Sequence, residues 1–269
     1  MIRCLCLILA GLISQYGALA QPQSDLPTIV SLDYCADQYV LGLADPSQIL
    51  ALSPDAEKPF SYYRYRAKGY PKTRLSAEEI LILKPDIILR SYGGTERDIS
   101  FYERFGIEVV TIGYALDFPG IADVVETVAT AIDRPEAAVP FVEKLRRPAS
   151  RQSSSALYYV AGERTAGEAT QISSVLAHAG MRNLAGPGSW LTLSLEGLVL
   201  NPPERIISAY FEFGPEATSH WSLGRHKVLQ TVFNTVDVIP AREDRLSCTS
   251  WLLADEAEDL RRSASGKEE

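Results

Sequence analysis

A thirteen-residue motif that occurs once in each half of the chain constrains the fold more than any other feature. The first copy spans residues 76–88 (SAEEILILKPDII) and the second spans residues 194–206 (SLEGLVLNPPERI). Aligned without a gap, the copies share a serine, a glutamate two residues later, an apolar triplet, a proline, an acidic residue and an isoleucine.

Each copy predicts a capped helix, a proline stop and a buried strand. Serine is a favourable N-cap, a first-turn glutamate suits the helix dipole, and Ser76 with Glu79 forms a capping-box pattern. Proline ends the helix, and the apolar run after it is typical of a strand that is covered on both faces. Two copies of this unit predict two α/β lobes of related build.

The first 20 residues have the pattern of a secretory signal peptide. They contain one base (Arg3), an apolar run over Cys4–Ile13, and a small-residue end, Ala18-Leu-Ala20. The run is too short for a membrane anchor, and Cys4 and Cys6 lack the small residues that precede a lipid-modified cysteine. We therefore expect a soluble periplasmic protein that begins at Gln21.

Charge and cysteine content narrow the possible partners. Cleavage removes Arg3 and no acid, so the formal net charge changes from −8 to −9, and the absence of a basic stripe argues against nucleic-acid binding.

Two cysteines, Cys35 and Cys248, remain after cleavage, at the predicted starts of the first and last helices. A disulfide between them across the cleft, two separate inert thiols and a thiolate metal pair all stay open, because sequence does not give the Cα separation.

Alternating strands and helices predict an α/β fold of two lobes, each a parallel sheet flanked by helices. We divide the mature chain into an N-terminal lobe (residues 21–120), a connecting helical segment (121–152), a C-terminal lobe (153–262) and a polar, disordered tail (263–269). The connecting segment contains two helical stretches, Ile121–Ile132 and Glu136–Arg147, with Pro135 at a natural helix start.

The chain resembles the periplasmic substrate-binding proteins of ABC importers for vitamin B12 and ferric siderophores, and more loosely those for haem. The resemblance extends from about Thr28 to Leu260, and the pieces that carry it are TIVSLDYCADQYVLGLADPSQILALS, LSAEEILILKPDIIL, GMRNLAG and LTLSLEGLVLNPPERII.

The resemblance implies two lobes joined by one long connecting helix, with small opening of the cleft between them. It implies a bound corrinoid, ferric chelate or haem as cargo, with no intrinsic cofactor, and a dimeric ABC permease as partner of a monomeric binding protein. It also implies that one glutamate on each lobe, Glu78 and Glu196, docks on arginines of the permease. Considered singly, each is also an ordinary helix-start acid.

Candidate ligand-binding residues follow from position, because ligands of parallel α/β sheets lie beyond the carboxyl ends of the strands. Aromatic rings there suit a flat chelate and arginines suit an anionic one, although we expect roughly half of the set to serve lobe packing. The set is Tyr34, Tyr62, Tyr65, Arg66, Tyr92, Gly93, Trp190, Tyr210, Arg245 and Trp251.

Metal and enzyme signatures are missing from the sequence. The three histidines, His178, His220 and His226, have no metal-ligand spacing, and only His220 beside Trp221 is a weak candidate axial ligand. Nucleophile-elbow, dinucleotide and phosphate-loop motifs do not occur. We predict a binding protein, and the alternatives are an exported enzyme that uses the interlobe cleft and a non-transporting sensor.

The export prediction has a direct test in the secreted protein. Mass spectrometry should find an N-terminus at Gln21, because the Ala18–Ala20 pattern defines the cleavage site. An intact Met1, or a lipid on Cys4 or Cys6, would contradict it.

Overall fold

A computed structural model of the protein describes residues 26–160, 164–209 and 227–266. The N-terminal lobe contains a four-stranded sheet in the order β2-β1-β3-β4, in which all neighbours are parallel. Its strands are short apolar runs, as predicted: β1 (Ile29–Ser31), β2 (Ile49–Ala51), β3 (Ile87–Arg90) and β4 (Glu108–Thr111). Its helices are α1 (Tyr34–Leu43), α2 (Ala77–Leu83) and α3 (Glu96–Arg104), with a short 3-10 helix at Pro46–Gln48.

Side-chain caps begin these helices. Asp33 accepts a hydrogen bond from Ala36 N at the start of α1, and Ser76 accepts one from Glu79 N at the start of α2. The predicted capping box at Ser76 is only half formed, because the Glu79 carboxylate accepts from Arg74 N (2.7 Å) instead of returning to Ser76.

The connecting segment consists of α4 (Phe118–Ala131) and α5 (Pro135–Leu145), which pack against each other. A turn through Asp133, whose φ is +57°, separates them, and Pro135 occupies the first turn of α5 as expected. The resemblance implies one long helix here, whereas this chain divides the connection into two. Both helices contribute to the same hydrophobic core, so the connection is packed along its length.

The C-terminal lobe repeats the parallel arrangement and adds to it. Parallel pairs join β7 (Met181–Asn183), β5 (Ser154–Val160), β9 (Arg205–Ala209) and β10 (Asp237–Pro240), while β6 (Arg164–Ala166) and β8 (Trp190–Thr192) pair antiparallel at one edge. The purely parallel sheet predicted for this lobe is therefore incomplete. Its helices are α6 (Gln171–His178), α7 (Leu195–Leu200), α8 (Lys227–Thr235), α9 (Glu243–Leu246) and α10 (Leu252–Ser265).

The two copies of the sequence motif adopt the same structure. In the first, the Asp86 carboxylate accepts from the N–H (2.8 Å) and hydroxyl (2.7 Å) of Thr28 beside β1. In the second, the Glu204 carboxylate accepts from the N–H (3.3 Å) and hydroxyl (3.2 Å) of Ser155 in β5. The backbone N–H of each acid also donates to the partner hydroxyl. Equivalent helices thus lead into equivalent central strands, β3 and β9.

A seam of packed side chains joins the lobes where α1 meets residues 244–251, which we call the interlobe seam. A disulfide links Cys35 to Cys248, with the Cα atoms 5.5 Å apart, and the Tyr39 hydroxyl donates to Thr249 O (2.9 Å). Trp251 packs against Tyr39 and the connector residue Phe141, with ring centroids 5.1 and 4.3 Å away. One hydrophobic cluster consequently runs through both lobes and the connector.

Gly42 on α1 permits the closest approach in this seam. A Cβ atom at that position would lie 2.3 Å from Cζ2 of Trp251, well inside van der Waals contact. Trp251 therefore fills space that α1 leaves open at a glycine, which makes it a structural residue of the seam.

The last helix is longer than predicted. It continues to Ser265, so residues 263–265 are helical and not part of a disordered tail, while residues 267–269 lie outside the described part of the chain. Ala264 explains the extension, because it packs against the core and its carbonyl accepts from Arg205 Nη2 (3.4 Å).

Candidate ligand-binding cleft

The carboxyl ends of β1 and β3 are held together by one buried carboxylate. Asp33, which follows β1, accepts hydrogen bonds at Oδ2 from the backbone N–H groups of Ser91 (2.7 Å), Tyr92 (3.0 Å) and Gly93 (2.9 Å). A Cβ atom at Gly93 would lie 2.7 Å from the carbonyl oxygen of Leu32. Gly93 therefore serves close backbone packing, and its predicted role at the ligand reduces to positioning the neighbouring Tyr92.

Three aromatic rings meet at this end of the sheet. The Tyr34 ring lies edge-on to Phe60 (centroids 4.8 Å apart) and to Tyr92 (5.9 Å). Tyr34 and Phe60 are half-buried, whereas Tyr92 is 56% exposed. Partial burial of its hydroxyl, together with Tyr34 and Asp33 nearby, raises the pKa of Tyr92, so its phenol is neutral at physiological pH.

A cavity of about 460 Å³ lies beside this ring cluster, between the lobes. Pro59 and Phe60 line it from the N-terminal lobe, and the segment Ala241–Asp244, which follows β10, lines it from the C-terminal lobe. This is the position expected for a ligand of parallel α/β sheets. A second cavity of about 430 Å³ lies within the C-terminal lobe under α7 and does not border the cleft.

Ion pairs and cation–π contacts fix the aromatic loop of residues 59–66 to the C-terminal lobe. Arg64 Nη1 lies 3.0 Å from Asp244 Oδ2, and Arg242 Nη2 approaches the same oxygen at 2.9 Å. The guanidinium carbons of Arg242 and Arg245 lie 5.5 and 5.7 Å from the Tyr62 ring centroid. Tyr62 thus contacts the opposite lobe, at the border of the cavity.

Arg245 is mainly committed to the protein itself. Its guanidinium is largely buried and lies 3.5 Å from Glu256 and 2.5 Å from Asp259, both on α10. Glu256 is 1% exposed, and this burial raises the pKa of its carboxyl group. The prediction that Arg245 pairs with an anionic ligand is not favoured by this placement, because the ligand would have to replace two carboxylates.

The remaining predicted residues divide into buried and outward-facing groups. The assignment of Trp251 to the ligand is wrong, because the residue is 1% exposed in the interlobe seam. Tyr65 is 69% exposed, with Arg64 and Lys68 over its ring, and Arg66 stacks on Tyr63. Trp190 lies on β8, at the edge of the C-terminal sheet, with its ring 6.2 Å from Tyr158. The described residues do not include Tyr210, His220 or His226.

Two cleft residues were absent from the predicted set, Phe60 and Arg242. Phe60 begins the aromatic loop that the sequence shows as FSYYRYR, and Arg242 comes two residues after β10. The rule that ligands lie beyond the carboxyl ends of strands identifies both, once the last strand is known.

Asp37 lies on α1, one turn after Asp33, and its carboxyl group is fully buried. Its carboxylate accepts from the hydroxyls of Ser31 and Ser53 (2.6 Å for Ser53) and from Ser53 N (2.9 Å), which ties α1 to the ends of β1 and β2. Burial raises the pKa of Asp37 to about 6, and the hydrogen bonds only partly oppose that shift.

In the part of the chain with described structure, no group of three or more His, Cys, Asp or Glu side chains is arranged to hold a metal ion.

The periplasmic binding protein family model matches residues 29–210, more than half of the chain. The chain belongs to this family. Members are binding proteins, in agreement with the expectation that the chain is not an enzyme. Across the described residues no helix combines the length and apolar character needed to cross a bilayer.

Solved structures of periplasmic binding proteins share the fold. The haem-binding protein HutB of Vibrio cholerae aligns with a TM-score of 0.68 at 18% identity, over 88% of this chain and 98% of its own. A haem-binding protein of Pseudomonas aeruginosa aligns with a TM-score of 0.65 at 20% identity, over 88% of this chain and 92% of its own. The vitamin B12-binding protein BtuF of V. cholerae aligns with a TM-score of 0.60 at 20% identity, over 88% of this chain and 96% of its own. No curated protein sequence matches the chain. At these identities the structural likeness establishes the two-lobe α/β fold.

Asp37 gives this periplasmic binding protein a predicted pH dependence. Its folded pKa lies above the unfolded value, so the native state loses stability as pH rises from about 4 to about 6 and retains that cost above pH 6. Asp37→Asn removes the titration. Its free energy of unfolding relative to wild type should therefore increase by about 3 kcal/mol between pH 4 and pH 7, measured by urea unfolding.

Asp98→Asn is the matched control. Hydrogen bonds from Thr95 lower the pKa of Asp98, so its titration lies below the ordinary aspartate value of about 3.9. The relative stability of this variant should therefore stay nearly constant over the same pH interval. A flat Asp37→Asn difference from pH 4 to pH 7 would contradict a raised pKa at this site.

Proposed function

We propose that this protein binds a metal chelate or corrinoid in the interlobe cleft and delivers it to an ABC importer. The observation that carries the proposal is the cavity between the lobes, where Phe60, the ring that joins Tyr34 and Tyr92 to the cavity, lies opposite the segment after β10. Rings of this kind bury large areas of a flat ligand while their polar edges remain available for hydrogen bonds. The protein's contribution is recognition and release, with no bond made or broken.

The ligands of structural neighbours and the volume of the cavity favour a chelate or macrocyclic ligand. Structural neighbours include binding proteins for haem, for vitamin B12 and for ferric hydroxamates, one of them in complex with two haems. A cavity of about 460 Å³ lies within the usual range for small-molecule sites, and its open side allows part of a larger ligand to extend outward. Cobalamin, a ferric siderophore and haem are accordingly the three ligand classes that we propose.

Charge at the cleft favours a ligand with an anionic group. Arg242 is half-exposed at the cavity, and its present partner Asp244 is shared with Arg64. If Arg242 turns toward a ligand, Asp244 keeps a cationic partner in Arg64. This arrangement allows Arg242 to contact a carboxylate or hydroxamate without leaving a buried charge unpaired.

Delivery is the second half of the proposal. Glu78 and Glu196 lie exposed near the N-termini of α2 and α7, on equivalent elements of the two lobes. Two such acids suit the two symmetry-related subunits of a permease dimer, each with a complementary base.

We further propose that the protein is exported by a cleaved signal peptide at residues 1–20 and that it acts as a monomer. We also propose that its lobes divide at the boundaries 21–120, 121–152 and 153–262.

Ligand binding tests the first half of the proposal. One of cobalamin, a ferric hydroxamate and haem should raise the melting temperature of the purified protein, since a ligand at about 1,000 times its Kd stabilises the native state by roughly 4 kcal/mol. Phe60→Ala should weaken binding of that ligand by about tenfold or more, because stacking and apolar burial are lost. Titration calorimetry measures both.

Phe105→Ala is a control for loss of a phenylalanine away from the cleft, because Phe105 is 60% exposed and follows α3, at the amino end of β4. It should leave the affinity unchanged. A protein that binds none of the three ligands, or a Phe60→Ala variant with wild-type affinity, would contradict the assigned site. Uptake into proteoliposomes then separates an importer component from a sensor that binds the same ligand without transport.

A further inference from the structure

The two motif copies share their main buried positions and one exposed aliphatic position. Ile80 and its counterpart Leu198 are buried under their helices, and so are the two prolines that end them. Two positions further on, Ile82 is 72% exposed and its counterpart Leu200 is 68% exposed. Each lobe therefore presents a large aliphatic side chain to solvent at the same place.

These exposed side chains lie on the same helix face as the proposed docking glutamates. Glu78 and Ile82 are four residues apart on α2, and Glu196 and Leu200 are four residues apart on α7. Residues at this spacing are neighbours on a helix surface. Each short helix thus carries an acid–aliphatic pair, with the carboxylate one turn nearer the helix start.

Folding alone does not explain this match. Single exposed apolar residues are ordinary on protein surfaces, and Val139 on α5, 51% exposed, is an example without a counterpart. Elsewhere the two copies differ, with Glu79 against Gly197 and Leu83 against Asn201. An exposed aliphatic residue at the equivalent position of both lobes, next to an acid each time, indicates a surface that contacts two similar partners.

We infer that Ile82 and Leu200 are contact residues for the membrane transporter, each inserting into an apolar depression beside the base that pairs with the neighbouring glutamate. This inference rests on the proposed delivery function and adds to it the apolar half of the docking surface. The partner is one of defined chemistry, namely two symmetry-related subunits with a cationic residue next to an apolar pocket. Ion pairs set orientation and encounter rate, and burial of the aliphatic side chains adds residence time.

Site-specific photo-cross-linking in the native host identifies the partner. Benzoylphenylalanine at position 82 and, separately, at position 200 should form adducts with the permease subunit of an ABC importer, identified by mass spectrometry. The same probe at position 139 should not. Adducts at 82 and 200 that contain only soluble proteins or a second copy of this chain would overturn the inference.

Affinity for that transporter in lipid nanodiscs gives the quantitative test. Ile82→Ser and Leu200→Ser should each weaken binding of the ligand-loaded protein by roughly tenfold, and the double variant by roughly a hundredfold. Val139→Ser is the matched control and should bind as wild type does. Melting temperatures should stay within a degree or so of wild type, because these side chains are exposed in the free protein.

Parallel Glu78→Ala and Glu196→Ala variants separate the two levels of the proposal. Serine variants with wild-type affinity beside weakened alanine variants would overturn the apolar contact and leave delivery through the glutamates standing. Wild-type affinity in all four variants would overturn docking on α2 and α7 altogether.

Discussion

The interlobe seam is the constraint on which the rest of the structure depends. Residues 244–251 lie along α1, where the Cys35–Cys248 disulfide, the Tyr39–Thr249 hydrogen bond and the buried Trp251 ring connect the lobes. The two bonded cysteines are 213 residues apart in sequence, and a disulfide that closes a long loop stabilises a fold by about 2–5 kcal/mol. Because the seam is both covalent and close-packed, it fixes one side of the cleft and limits how far the lobes separate.

The repeated helix–proline–strand unit relates the two proposed functions, ligand binding and transporter docking, to one architecture. In each lobe an acid–hydroxyl contact, Asp86 with Thr28 and Glu204 with Ser155, anchors the central strand beside its neighbour. The cavity between the lobes is lined by Pro59 and Phe60 and by the segment Ala241–Asp244 after β10. The helices that lead into the central strands carry the exposed acid–aliphatic pairs. The proposed ligand recognition and the proposed docking therefore use opposite ends of the same repeated unit, and the seam links the lobes that carry α2 and α7.

The sequence predicts whatever depends on local pattern, and it misses what depends on distant neighbours. Apolar β-branched runs and N-caps are local signals, so the pattern predicts both helix–strand motif units and the two connector helices within a few residues. Strands β6, β7 and β8 are missed, because these segments lack the apolar β-branched runs that mark the equally short β1 and β2. The cysteine pairing stayed undecided because it depends on a Cα separation that only the fold sets. The ligand role predicted for Trp251 is wrong for the same kind of reason. Its ring fills space beside Gly42, which lies on α1 in the other lobe, and sequence does not show that contact.

Small-angle X-ray scattering with and without ligand tests the central claim, that a close-packed, disulfide-linked seam holds the lobes in nearly one arrangement. The oxidised protein should give the same scattering profile and radius of gyration, within error, in the free and ligand-saturated states. The Cys35→Ser/Cys248→Ser variant shows how much of that restriction is covalent. A large compaction of the oxidised protein on ligand binding would contradict the account, because it would require the seam to open in the free state.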